Sequence, residues 1–236
     1  MSKEVDILVI GGGVAGLTAG AHAARAGRAT LILTGDIVGG ELDGTTHPGV
    51  GMITFVQDGD HYRCSGTLIA PTVVATAAHC TQGSTSVYVT FDAVGGRAPD
   101  MAVDPGDPSR FIHGTAHADP NYGGGFKFDT LDDIGVVVLD RPASDVWPGI
   151  PVTPLATAGA ADGLRTGNGA AGQTLFTLVG YGIRFEKPAS GPQKPTAVSD
   201  RTRRNATAPL QVVKGETVTR EVYPHQIAFN VLPLVD

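Results

Sequence analysis

Three glycines near the start of the chain, Gly11, Gly13 and Gly16, stand in G-x-G-x-x-G spacing. That spacing suits the capture of a pyrophosphate. The first glycine permits a tight turn, the second lets the backbone approach the phosphates, and the third lets a helix pack closely on a strand. The helix start then offers free N–H groups and a positive dipole end to the anion. The flanking residues carry the elements this needs. The β-branched apolar run 5–10 is expected as a buried strand, the Ala-rich run 17–26 as a helix with Gly27 at its C-cap, and 29–33 as a second, parallel strand. Together they make a Rossmann-like βαβ unit. Two other groupings invite a chemical reading. His113-x-x-x-His117 with Asp119 has metal-ligand residue types, but it lies among Gly, Pro and Asp without helical period and is expected as a solvated loop. GGGFKF at 123–128 lacks the G-K-[ST] of a phosphate cradle and is expected as a flexible loop.

The bulk composition narrows the rest. The chain has 236 residues, 42% of them hydrophobic, which is enough for one sizeable core or two small ones. Gly (33) and Pro (16) are abundant and only 17% of residues are charged, which favours a turn-rich β protein. The net charge of −6 argues against a nucleic-acid partner, and the short basic run at 201–204 is too small to reverse that. No apolar run approaches the length of a membrane helix, so no membrane partner is expected. From residue 37 onward, short apolar runs alternate with Gly, Pro, Asp and Asn clusters, at 52–57, 66–69, 73–77, 86–91, 134–139, 173–179 and 210–213. This pattern predicts a barrel or sandwich without a long helix. The two cysteines, Cys64 and Cys80, are unpaired thiols in a reducing compartment or a bridge in an oxidising one; their number leaves both open.

Residues 5–42 resemble the FAD-binding start of thioredoxin-reductase-like flavoproteins, through DILVIGGGVAGLTAG, AARAGR and LILTG followed by GGEL. The resemblance implies FAD contact at Gly11, Gly13 and Gly16. It then stops: no C-x-x-C pair and no second G-x-G-x-x-G follow, and only Asp36 stands near the expected acidic ribose partner. The competing reading is a structural βαβ with no flavin, because no further α/β units follow to complete its sheet. A secretory leader is a third reading, since Ala21-His22-Ala23 is similar to a cleavage site, but Glu4, Asp6 and the glycine-broken apolar stretch oppose it.

CSGTLIAPTVVATAAHC at 64–80 resembles the histidine loop of trypsin-like, chymotrypsin-fold serine proteases. The resemblance implies that His79 is the general base and that Cys64 and Cys80 form the disulfide tying its loop. Residues 131–139, LDDIGVVVL, are similar to the family's D-I-A-L-L-x-L segment. Asp133 maps to the aspartate that orients the imidazole, with Asp132 its local rival. LVGYG at 178–182 is similar to the strand opening the second barrel, and RRNAT at 203–207 to a later segment of bacterial and fungal members. IVGG at 37–40 is similar to the mature amino terminus, although Asp36 stands where activation needs Arg or Lys.

The resemblance lacks its nucleophile. None of the serines at 2, 65, 84, 86, 109, 144, 190 and 199 has the G-D-S-G-G surround, and Ser190 lies too soon after Tyr181. Asn205-Ala206-Thr207 is a glycosylation sequon, meaningful in a secreted eukaryotic chain, and Trp147 is expected as a packing anchor. The expected protein is therefore mainly β: a trypsin-like double β-barrel over 37–236 with an incomplete second barrel, preceded by a Rossmann-like βαβ fragment over 1–36. By family it is a serine endopeptidase, inactive as written. The alternatives are a non-catalytic binding protein on the same scaffold and a fragment of an FAD-dependent oxidoreductase. The protease part needs no cofactor and no metal, FAD remains the alternative for the first segment, and the expected partner is a polypeptide substrate or inhibitor. The protease part implies secretion and the flavoprotein part implies cytosol, a conflict that itself points to a chimera.

Overall fold

The computed structural model describes residues 8–9, 31–32, 40–102, 105–123, 133–155, 175–182, 184–186, 196–198, 200–209, 212–214 and 226–228. Of the first segment it describes two short strands, β1 (Leu8–Val9) and β2 (Leu31–Ile32), paired in parallel with Leu8 opposite Leu31. The connecting helix expected at 17–26 lies outside the described residues, as do Gly11, Gly13 and Gly16.

The remaining strands follow in chain order. They are β3 (Glu41–Leu42), β4 (Val50–Gln57), β5 (Asp60–Ala70), β6 (Val73–Thr76), β7 (Thr85–Thr90), β8 (Ile112–Ala118) and β9 (Gly135–Leu139). After them come β10 (Leu175–Gly180), β11 (Arg184–Glu186), β12 (Thr196–Val198), β13 (Arg204–Pro209), β14 (Val212–Lys214) and β15 (Gln226–Ala228). Six of these close into an antiparallel barrel in the order β4-β5-β6-β9-β8-β7. Its interior is filled by Ile53, Leu68, Val74, Val87, Val89 and Val137, all buried, with Phe91 and Ile112 against them. The β-branched residues that make the strands also fill the barrel, and full closure leaves it no edge to protect.

Local turn chemistry sets the first register. Asp58 and Gly59 both have positive φ, 52° and 88°. Two consecutive left-handed residues form the turn whose twist matches a hairpin, and Asp-Gly is the pair that tolerates it. β4 and β5 consequently pair over eight residues, from Gln57 opposite Asp60 to Val50 opposite Thr67.

In the second half of the chain β10 and β13 form a three-stranded sheet with β3, in the order β10-β13-β3, and β11-β12 and β14-β15 form antiparallel pairs. β3 precedes the first barrel in sequence yet pairs with β13, Arg204 opposite Leu42. The two halves are therefore interlocked. A mainly β architecture with one closed barrel among the described residues is what the spacing of the apolar runs predicts. One segment departs from expectation. Residues 112–118 form β8 rather than a loop, and its residues alternate between the barrel interior and solvent.

Candidate active site

Barrel register brings two distant residues together. β6 and β9 are antiparallel neighbours with Thr76 opposite Gly135. Three residues beyond Thr76 the chain has entered a 3-10 turn, Ala78–Cys80, which carries His79; two residues before Gly135 stands Asp133. Both side chains thus lie at the same end of one strand pair. The close approach depends on Gly135, where a Cβ would overlap Thr81 Oγ1 and lie 2.8 Å from the Ala77 carbonyl oxygen. Thr81 Oγ1 tightens the turn from within, donating to the carbonyls of Ala77 (3.3 Å) and Ala78 (3.0 Å).

The Asp133 carboxylate is fully buried and holds His79 at two points. Its Oδ2 lies 2.9 Å from the imidazole Nδ1, and its Oδ1 accepts the His79 main-chain N–H at 2.8 Å. A carboxylate on Nδ1 favours the tautomer with hydrogen on that nitrogen, leaving Nε2 the basic atom. Tyr122 belongs to the same neighbourhood. Burial raises the pKa of its phenol, and the nearby Asp133 charge raises it further. The turn carrying Tyr122 is tied beside the site: the Asp119 N–H donates to the Ile134 carbonyl at 2.8 Å, and the Tyr122 carbonyl accepts from Gln82 Nε2 at 3.2 Å. No local sequence pattern marks Tyr122.

Cys64 on β5 and Cys80 at the end of the turn form a disulfide, with Cα atoms 6.3 Å apart. It ties the histidine turn to the barrel wall. Cross-linking residues this far apart in sequence stabilises by about 3 kcal/mol in the chain-entropy picture.

A second polar cluster joins the two halves. Arg203 is buried; its Nε donates to Asp43 Oδ2 at 2.8 Å, and its Nη1 donates to the Val50 and Phe91 carbonyls, both at 3.0 Å. Nη1 also reaches the Tyr181 hydroxyl at 3.1 Å, and Nη2 donates to the Gly44 carbonyl at 2.6 Å. Asp43 further accepts from the His47 main chain and from Asn205 Nδ2, both at 3.1 Å, and lies 2.5 Å from His47 Nδ1. Burial opposes its charge, but the hydrogen bonds from His47 and Arg203 outweigh that and hold its carboxyl below the usual aspartate range. Desolvation pushes the Tyr181 phenol well above its ordinary pKa. Tyr181 connects this cluster to β5 and β6, the latter leading into the histidine turn: its N–H donates to Ser65 Oγ at 2.9 Å, and Thr76 Oγ1 donates to the Ser65 carbonyl at 3.0 Å. Asn205 is the sequon asparagine, so its amide is engaged inside this cluster.

Other sequence candidates fall elsewhere. His113 and His117 lie on the solvent face of β8, His113 with its Nδ1 2.8 Å from Asp140, while Asp119 Oδ1 accepts the Asn121 N–H in a turn. Trp147 packs edge-on against Phe91, donates Nε1–H to Asp92 at 2.8 Å and lies under the Arg110 guanidinium. Asp132 and Ser190 lie outside the described residues. Of the serines that are described, Ser65 is buried in β5 and Ser84 donates to the Cys80 carbonyl at 3.0 Å.

A closed six-stranded barrel, interlocked with a second β unit and carrying this histidine turn, defines a protein of the trypsin-like fold class. The chain belongs to the trypsin family, whose model it matches over residues 37–223. The FAD binding domain model matches residues 6–67 and so overlaps that span. Similar solved structures include GrC (19% identity, TM-score 0.44, covering 75% of this chain and 66% of that one). They also include HL collagenase (14%, 0.45, 74% and 63%) and human heparin binding protein (18%, 0.41, 75% and 66%). The chain thus spans just under two thirds of the length of each. No curated protein matches it in sequence.

Proposed function

We propose that residues 37–236 are a serine-endopeptidase domain in which His79 is the general base and Asp133 its orienting carboxylate. The observation that carries this is the double hold of Asp133 on the His79 ring and main chain, at 2.9 and 2.8 Å. In the family reaction the imidazole takes a proton from the attacking hydroxyl, and the buried carboxylate stabilises the imidazolium so formed. Within residues 1–236 no serine has the surround that supplies both the attacking hydroxyl and the oxyanion-binding N–H groups. Loss of the nucleophile from a triad removes about a million-fold in turnover. On this reading residues 1–236 carry the base and its orienting carboxylate without a nucleophile, and the partner class is a polypeptide substrate or inhibitor. The disulfide suits a secreted domain.

The FAD alternative for residues 1–36 draws on the glycine spacing and on the parallel pairing of β1 with β2. Its extension to residue 67 does not fit the group. Residues 50–57 and 60–70 are antiparallel members of the closed barrel, whereas a flavin crevice needs further parallel strands there. We assign no flavin chemistry to this chain.

The test is labelling of the folded chain with a fluorophosphonate probe, read by peptide mass spectrometry, beside a peptide-hydrolysis assay. The reading expects no serine adduct and no cleavage. An adduct at any serine, lost in His79→Ala, would show a recruited nucleophile and overturn the inactive assignment.

A further inference from the structure

The disulfide lies directly against the proposed base. One ligand atom from each of Cys64, His79 and Cys80, two sulfurs and a ring nitrogen, lies within 4.8 Å of the others. Both cysteines are buried and His79 is partly buried. In the oxidised protein the sulfurs are bonded to each other and hold no metal. Reduced, they are two soft donors beside an imidazole. Tetrahedral zinc, with Zn–S near 2.3 Å and Zn–N near 2.0 Å, needs its ligand atoms about 3.6–3.8 Å apart. In the disulfide the two sulfurs are bonded and stand closer than that, with the imidazole nitrogen within 4.8 Å of both; on reduction, the cysteine Cα separation of 6.3 Å leaves room for the sulfurs to part by side-chain rotation.

Asp133 adds the outer shell. A metal-bound histidine commonly donates its other N–H to a carboxylate, which fixes the ring and raises its basicity. Asp133 makes that contact to Nδ1 at 2.9 Å. The pairing that orients a base therefore also suits a zinc ligand.

We propose that reduction of Cys64–Cys80 turns the floor beside His79 into a Cys2His site for Zn2+, with the fourth position open to water or a peptide group. A dithiol supplies two electrons and two protons to the S–S bond and is itself oxidised to a disulfide. Zn2+ then displaces the two thiol protons. Two thiolates, a neutral imidazole and Zn2+ sum to zero charge, which suits a buried position. The histidine turn thus carries one of two staples, a disulfide in an oxidising compartment or a metal in a reducing one. The metal-loaded form cannot use His79 as a base. This goes beyond the endopeptidase reading and does not require it.

The test is titration of the full chain with Co2+, in the disulfide form and after phosphine reduction, with thiols counted by alkylation and mass. The reduced chain binds one equivalent, with thiolate-to-cobalt charge-transfer and intense tetrahedral d–d absorption that Zn2+ bleaches. The disulfide form shows neither band. His79→Ala weakens the reduced site at least about tenfold and alters the d–d envelope, and Asp133→Asn weakens it about 10–100-fold. Urea abolishes the site in every form. Absence of the thiolate bands in the reduced chain would overturn the proposal. So would an unchanged spectrum and affinity in His79→Ala, or undiminished binding in urea, either of which marks two-thiol chelation. A reduced chain that is unfolded and does not regain near-UV circular dichroism on adding Zn2+ would also overturn it.

Discussion

Asp133 accepts hydrogen bonds from one residue twice, from the ring and from the main chain of His79, across 54 positions of sequence. The second bond makes the carboxylate structural as well as chemical. The 3-10 turn Ala78–Cys80 has no side-chain cap of its own, and Asp133 satisfies the N–H of its central residue. Asp133→Asn keeps the shape but turns one acceptor into a donor facing an N–H group. It should cost about 1–3 kcal/mol, read as a lower urea midpoint at unchanged m-value. An unchanged midpoint would mean that the carboxylate does not brace the turn.

The disulfide should carry a separable share of stability. Replacing both cysteines with serine is expected to cost about 3 kcal/mol, mainly by freeing the unfolded chain. Equilibrium urea unfolding of the double variant measures it. A loss well under 1 kcal/mol would show that the turn is held by Asp133 and the strand register without the covalent tie.

Arg203 and Asp43 join residues 160 positions apart. Arg203→Met leaves the buried Asp43 carboxylate without its guanidinium and is expected to cost about 3–5 kcal/mol, whereas Arg203→Met with Asp43→Leu should recover much of that loss. Thermal melts of the single and double variants decide this. A double variant no better than Arg203→Met would show that the cost is one of packing and not of stranded charge.

The same pair sets an acid limb. The folded carboxyl of Asp43 is held below its ordinary range, so its contribution is present at pH values above about 4 and is lost as pH falls from there through the folded value. Asp92, whose burial is outweighed by hydrogen bonds from Arg110 and Trp147, acts in the same direction. Asp43→Asn should flatten the fall in stability below pH 4 while lowering stability near neutrality. An acid limb of unchanged slope would exclude Asp43 as a contributor.

Gly135 is the contact point between β9 and the histidine turn. Gly135→Ala presses a methyl group onto Thr81 and the Ala77 carbonyl, at a cost of about 1–3 kcal/mol. The effect should appear in hydrogen exchange first at the turn. Uniform loss of protection across the barrel would place the strain elsewhere.

Much of the site was legible because its residues sit inside informative strings. His79 and Cys80 end a run beginning at Cys64, and Asp133 opens an apolar strand; barrel register then explains why the two ends meet. β8 was not legible. Its inward positions include Gly114 and Ala116 in place of large apolar residues, so the alternation carries no strong hydrophobic signal. Gly114 is small for a packing reason: a Cβ there would lie 2.7 Å from Val137 Cγ1. The Asp43–Arg203 cluster was equally hidden, because a lone acid and a short basic run ordinarily face water and nothing local indicates partners so far apart. Residues 39–41, GGE, fit both resemblances. The structure uses Glu41 and Leu42 as β3, paired to β13 of the trypsin-like fold.

The central claim is that His79 is an oriented base, its Nδ1 hydrogen held by Asp133. Nitrogen-15 NMR of the histidine-labelled protein tests it most directly, through the ring shifts and the Nδ1–H correlation of His79. The account predicts the Nδ1–H tautomer in the neutral ring, with a downfield proton that disappears in Asp133→Asn. An Nε2–H tautomer, or a ring unaffected by Asp133→Asn, would contradict it.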